Sequence, residues 1–315
     1  MGRRVIVAFA VALIALAVGA FIQLGWLQAA PSHVSAVGGM ARAIPVASGR
    51  VTIAIVDVQG EAERRRADGS WETIDASSSL AADDVIRTGE GATMELSVGP
   101  SVLVRVAEAT ELTLGEVSRS LSRIELADGR LASVVDADSG YRVRVEVRDS
   151  DAAAESDGGA FSILSRSRGP VAVAASAGTV SLSSGGEEVK LRSGELSVAE
   201  RGQAPSAPEP VPTSLFLKLA QGVSVGPGQA EVEVVGTTVP GAVVRVAERS
   251  TSSRGGAFKQ RVVLREGQNA ITVEVEDALG RRAVGRVPVV RRMRSATSPA
   301  EVPRGPPPVD ARVSW

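Results

Sequence analysis

Apolar residues recur at every second position in short runs along most of this chain, with glycine or proline between the runs. Val51, Ile53 and Ile55 alternate with Thr52, Ala54 and Val56. Met94, Leu96 and Val98 alternate with Glu95, Ser97 and Gly99, and Val143, Val145 and Val147 alternate with arginine and glutamate. Period two is the signature of a strand with one buried face. Shorter copies begin at Glu111-Leu-Thr-Leu, Arg130-Leu-Ala-Ser-Val, Gly178-Thr-Val-Ser-Leu and Gly194-Glu-Leu-Ser-Val. Those at 93, 111 and 130 start 18 and 19 residues apart, a spacing that suits rungs of a β-solenoid or stacked hairpins. Glycines 89 and 91 stand where a turn needs positive φ. Asp68-Gly69 marks a hairpin turn ahead of Trp71, which is expected to anchor the core of the first lobe. A ligand-stacking platform is the functional alternative for Trp71. Asp149–Gly159 reads as an acidic loop.

Residues 5–27 break this pattern. Val5 to Leu27 is apolar apart from Gln23 and follows Arg3-Arg4. As a helix it would reach about 34 Å, enough to cross a bilayer core of about 30 Å. A cleaved signal peptide has a shorter apolar core, of roughly 7–15 residues. The expectation is an uncleaved signal anchor in the inner (cytoplasmic) membrane, with Met1 to Arg4 inside and the remainder in the periplasm. Secretion to the periplasm after signal cleavage is the alternative.

Residues 202–212 carry Pro205, Pro208, Pro210 and Pro212. This density predicts an extended spacer that cannot pair in a sheet, and a domain boundary. The expected division is 1–28 anchor, 29–48 linker, 49–201 first β domain, 202–212 Pro-rich linker, 213–292 second β domain and 293–315 a disordered Pro-rich tail. Strands at short spacing with Gly/Pro turns, as at Pro240-Gly241 and Asp277-Ala-Leu-Gly280, suit a sandwich for the second domain.

With 315 residues there is chain for two or three domains. A net charge of −1 lacks the basic excess of nucleic-acid binders, and 3% aromatics leaves few stacking platforms. Without cysteine, disulfides, thiolate metal sites and a lipoprotein anchor are all excluded.

The stretch from Trp71 to Leu131 resembles the FecR domain, a periplasmic module of bacterial cell-surface signalling. The residues that carry it are Trp71, Leu80, Asp84, Ile86, Arg87, Thr88, Gly89, Ala92, Leu96, Thr110, Leu112, Gly129 and Leu131. Asp83 stands where the family usually has Gly, and Gly99-Pro100-Ser101 where it often has an Asp-Gly-Ser turn. The resemblance covers 49–135, loosely to about 200, and implies a β-solenoid or β-roll. Residues 213–292 resemble bacterial Ig-like repeats through the Pro-Gly-Ala turn at 240, Gly256-Ala-Phe258, Gly267-Gln-Asn-Ala-Ile271 and Asp277-x-x-Gly280. The expected fold is therefore all-β: a FecR-like β-solenoid or β-roll plus an Ig-like sandwich, after one transmembrane helix.

Candidate chemistry is thin. The sole histidine, His33, lies in the juxtamembrane linker, unsuited to a triad or a metal site. Lys190, Lys218 and Lys259 form no Ser-x-x-Lys arrangement. Asp136-Ala-Asp138-Ser-Gly140 imitates a calcium loop but has Gly140, Tyr141 and Val147 where that loop needs an oxygen ligand, glycine and glutamate. Asp83 and Asp84 read as residues leading into a strand, and no helix follows Gly89-Glu-Gly91 to bind phosphate. Arg291–Arg294 reads as a solvated domain end, with contact to anionic lipid or cell-wall polymer as its alternative. No catalytic, cofactor or metal residue is assigned, and no small-molecule substrate is evident. The expected activity is non-catalytic: contact with an envelope protein, or surface signalling. Classical FecR regulators hold a sigma factor through a cytoplasmic domain, which four residues are too short to form. The alternative is an accessory protein that binds peptidoglycan or polysaccharide.

Overall fold

A computed structural model describes residues 53–291 except 67–68, 100, 119, 167–168, 221–224, 226–228, 248 and 254. The expected anchor at 5–27, His33 and the tail at 293–315 lie outside these residues. Among the described residues every regular element is a strand, in keeping with the all-β expectation. They divide into two compact units. One runs to Ser165 and resumes over Val171–Val211; the other holds Arg166–Pro170 and the chain from Pro212 onward.

The first unit is built from two strand ladders. One consists of β1 (Ile53–Gln59), β5 (Thr93–Val98), β6 (Val102–Val106), β8 (Leu121–Val135), β11 (Gly159–Ser165), β12 (Val171–Ser184), β14 (Glu195–Ala199) and β15 (Glu209–Pro210), in that order. The other runs β3 (Trp71–Thr73), β2 (Ala62–Arg65), β4 (Val85–Thr88), β7 (Glu111–Val117), β8, β9 (Arg142–Val147), β10 (Ala153–Ser156), β12 and β13 (Glu187–Arg192). β8 and β12 therefore belong to both. Leu96, Val104, Leu131 and Ile163 from the first ladder join Ile86, Leu112, Ile124, Val145 and Leu182 from the second in one buried cluster.

Each shared strand has to present apolar side chains inward twice, once in each ladder. Ile124 and Leu126 are buried at even positions of β8, but Leu131 and Val135 at odd ones. An extra residue makes the switch: Leu126 pairs with Leu112 and Asp128 with Glu111, leaving Ala127 unpaired in a bulge. β12 does the same in reverse, from Val171, Val173 and Ala175 to Val180 and Leu182. Its extra residue is Ser176, between Ala175 opposite Phe161 and Ala177 opposite Ala160. A glycine with positive φ follows two residues after each extra residue, Gly129 at 112° and Gly178 at 67°.

The expected rungs are not present as such. The unit at 93 pairs with β1 and β6, and that at 111 with β4 and the first half of β8, so hairpin pairing accounts for their spacing. The one parallel pair in this unit is β8–β9, and the second half of β8 with the following turn makes the crossover it needs. Two loops also differ from expectation. Asp149–Gly159 contains β10, whose buried residues Ala153 and Ala154 have too little apolar bulk to register as a strand pattern. The proline segment does pair, since Glu209 and Pro210 lie against Leu196 and Glu195. Proline is tolerated there because β15 is an edge strand.

The second unit has a three-stranded sheet, β16 (Leu217–Leu219), β17 (Glu231–Thr238) and β20 (Ala257–Val263). Its four-stranded sheet is ordered β19 (Arg249–Ser253), β18 (Ala242–Val246), β21 (Gly267–Glu276), β22 (Arg282–Arg291). Val232, Val234 and Phe258 from the first share a core with Val244, Val246, Ile271, Val273 and Val287 from the second. The Asn269 side chain closes the turn before β21, accepting from Arg265 N at 2.9 Å and donating to Arg265 O at 2.8 Å.

Candidate interaction face

The residues that give the first unit its sequence signature sit mostly inside it. Ile86, Ala92, Leu96, Leu112 and Leu131 are fully buried. Thr88 and Thr110 make a polar junction within the core. Thr88 Oγ1 donates to Ala107 O at 2.6 Å and accepts from Thr110 N at 3.1 Å, while Thr110 Oγ1 accepts from Arg130 N at 3.1 Å. These bonds tie β4 and β7 to β8 where it bends from one ladder into the other. Asp83 and Asp84 lead into β4. Asp83 takes a left-handed φ of 70°, which glycine would adopt freely, and Asp84 Oδ2 accepts from Ala81 N at 2.9 Å.

Trp71 is not the expected core anchor. It is half-buried on the three-residue edge strand β3, and the Arg87 guanidinium lies 3.9 Å from its ring centre, with Arg65 at 5.7 Å. The pattern around Asp68-Gly69 revealed the hairpin but not which face of its second strand turns inward. The Arg87 guanidinium therefore already occupies one face of the indole.

From Arg87 a ladder of ion pairs crosses the outer face of the second ladder. Arg87 pairs with Glu63, Arg148 with Glu125 and at 2.9 Å with Glu111, and Arg144 with Glu146 at 2.8 Å and Glu155 at 3.1 Å. Arg148 also donates to Thr113 Oγ1 at 3.0 Å, so one guanidinium joins β7, β8 and the end of β9. The hydrogen bond that Arg144 donates to Glu146, reinforced by the one to Glu155, raises the Arg144 pKa. Burial pulls the Arg148 pKa down, but hydrogen bonds to Glu125 and Glu111 outweigh it and leave the value raised. The Arg66 hydrogen bond, then Arg64, lowers the Glu72 carboxyl. These shifts all hold groups in their ordinary charged forms, the opposite of what a general acid or base near neutral pH requires. The alternation of Arg and Glu along β9 exposed this face to sequence reading; its partner on β10 lay in a segment with no strong pattern, and the alternation on β7 did not show which strand it faces.

The remaining candidates resolve into turns. Asp136 Oδ1 accepts from Asp138 N at 3.2 Å, and Ser139 Oγ donates to Asp136 O, closing a polar turn. Gly91 N donates to the Glu108 carboxylate and Gly89 N to Glu61 O, so neither N–H is presented to a phosphate. Arg291 donates to Leu264 O at 3.0 Å. Among the described residues there is no group of three or more His, Asp or Glu side chains placed to hold a metal ion. No helix among them is long and apolar enough to cross a membrane.

The class so defined is an all-β protein whose first unit carries a series of ion pairs on one outer face. Residues 84–181 match the FecR family model, FecR protein, so that unit carries a FecR domain. Two crystal structures of a candidate anti-sigma factor from Parabacteroides distasonis ATCC 8503 are similar to the chain, at 16% and 17% identity and TM-scores of 0.35 and 0.36. Each match covers 40% of this chain and 59% of the other. No curated protein matches the chain.

Proposed function

We propose that this is a non-catalytic cell-envelope protein whose FecR domain makes a specific protein–protein contact in surface signalling. The match over 84–181 carries the reading, because it falls on the unit that bears the ion-pair face. Residues 5–27 anchor the chain in the inner membrane, with both β units in the periplasm. The second unit is an Ig-like sandwich that serves as spacer or secondary contact. Arg87 already occupies one face of the Trp71 ring, and 3% aromatics leaves few other stacking platforms, which weighs against the polysaccharide-binding alternative.

In-cell crosslinking from photoreactive residues placed at Glu125 and Arg144 tests the contact. Capture of one defined envelope protein, lost when 49–200 is deleted, is the expected result. Crosslinks to peptidoglycan alone, or none from this face while the second unit captures a partner, would overturn it. A reporter fused after Trp315 should be active only if it is of a kind that works after export.

A further inference from the structure

We propose that Gly202–Val211 is a releasable strap, docked on the edge of β14, whose opening uncovers that edge. Not one of its side chains is fully buried, so it adds nothing to the apolar core. It is held by a short series of polar contacts. At its base the Asp151 carboxylate, in the β9–β10 turn, accepts from Gly202 N at 2.9 Å and also from Gly185 N and Ser184 Oγ. Midway, Ser206 N donates to Val198 O at 2.9 Å, Val198 N donates to Ser206 Oγ at 3.1 Å, and Ser197 Oγ donates to Ser206 O at 2.7 Å. At its end Val211 N donates to Gly194 O at 2.8 Å.

Proline at 205, 208 and 210 leaves the segment three backbone N–H donors short. Ser206 partly substitutes by using its side chain as the acceptor that a backbone carbonyl would otherwise supply. The result is a cover that follows the edge with few ladder bonds and no buried side chain. Segments of this kind open locally, without global unfolding. When the strap opens, the N–H and C=O groups of Leu196 and Val198 that face it meet solvent.

Native-state hydrogen exchange on the full chain tests this. The Gly202, Ser206 and Val211 amides should exchange through an opening insensitive to low urea, while the Leu96 and Ile163 amides exchange only through global unfolding and speed up with urea. Asp151→Ala should speed the strap amides at least tenfold and leave the core pair unchanged. Ser206→Ala should do the same from Val198 to Ser206, and serves if the first variant fails to fold. A shared urea dependence of strap and core, equal acceleration of both, or unchanged strap amides in a folded variant would overturn the proposal.

Discussion

A Cβ built on Gly129 would stand 2.3 Å from Thr110 Oγ1, the same oxygen that accepts a hydrogen bond from Arg130 N. The bend in β8 therefore depends on a hydrogen bond and on the absence of a side chain at adjacent residues. Gly129→Ala adds left-handed strain (φ 112°) to that collision and should cost about 3 kcal/mol or more. Gly140→Ala, with φ 68° and open space around it, should cost only about 1–2 kcal/mol. Urea denaturation of the two variants would compare them; equal losses would mean that β8 does not need the close approach.

Leu96 is fully buried between β1 and β6, and Leu96→Ala should cost about 2–5 kcal/mol. Its neighbour Glu95 faces outward and pairs with Arg105 at 2.6 Å, a contact worth under about 1 kcal/mol. Similar denaturation midpoints for Leu96→Ala and Glu95→Ala would contradict the assignment of faces.

Trp71→Ala should cost well under the roughly 3–5 kcal/mol expected for a tryptophan in a core, because its ring is half-buried and covered by arginine. A loss in the core range would put the indole inside.

Arg148→Met keeps the aliphatic stem but leaves Glu111 and Glu125 without their shared guanidinium. The expected loss at low ionic strength is about 1 kcal/mol, shrinking in 1 M salt as screening weakens the network it removes. A salt-independent loss would point to packing as the cause.

The Asp151 carboxyl is held below the usual carboxylate range, first by the Gly202 amide and then by the Gly185 amide. A depressed folded-state pKa stabilises above the unfolded value, and that contribution disappears as pH falls through the folded one. Strap protection in hydrogen exchange should thus decline in acid below about pH 4, and Asp151→Asn should remove that part of the decline. An identical acid profile in the variant would assign the effect to other carboxylates.

Strand positions with bulky apolar residues were legible from the sequence, as at Met94–Val98 and Val143–Val147, because burial of one face imposes period two. The FecR motif was legible for the same reason, being mostly core and turn: Ile86, Leu96, Leu112 and Gly129 specify packing and a bend. β10 was not legible, since alanine fills its inward positions. Nor was the full length of β8, whose bulge at Ala127 shifts the alternation and splits one strand into two apparent pieces. The ion-pair face was half visible, because charges on one strand show their spacing but not their partners across the sheet.

The two shared strands have a consequence for how the first unit comes apart. A stack of separate rungs can fray from either end, and two sheets joined only by side chains can shear past one another. Here the backbone itself is woven through both layers at β8 and again at β12. Neither layer can be peeled away without breaking ladders in the other. The side chains of the outer face take no part in that weave, which the backbone alone maintains.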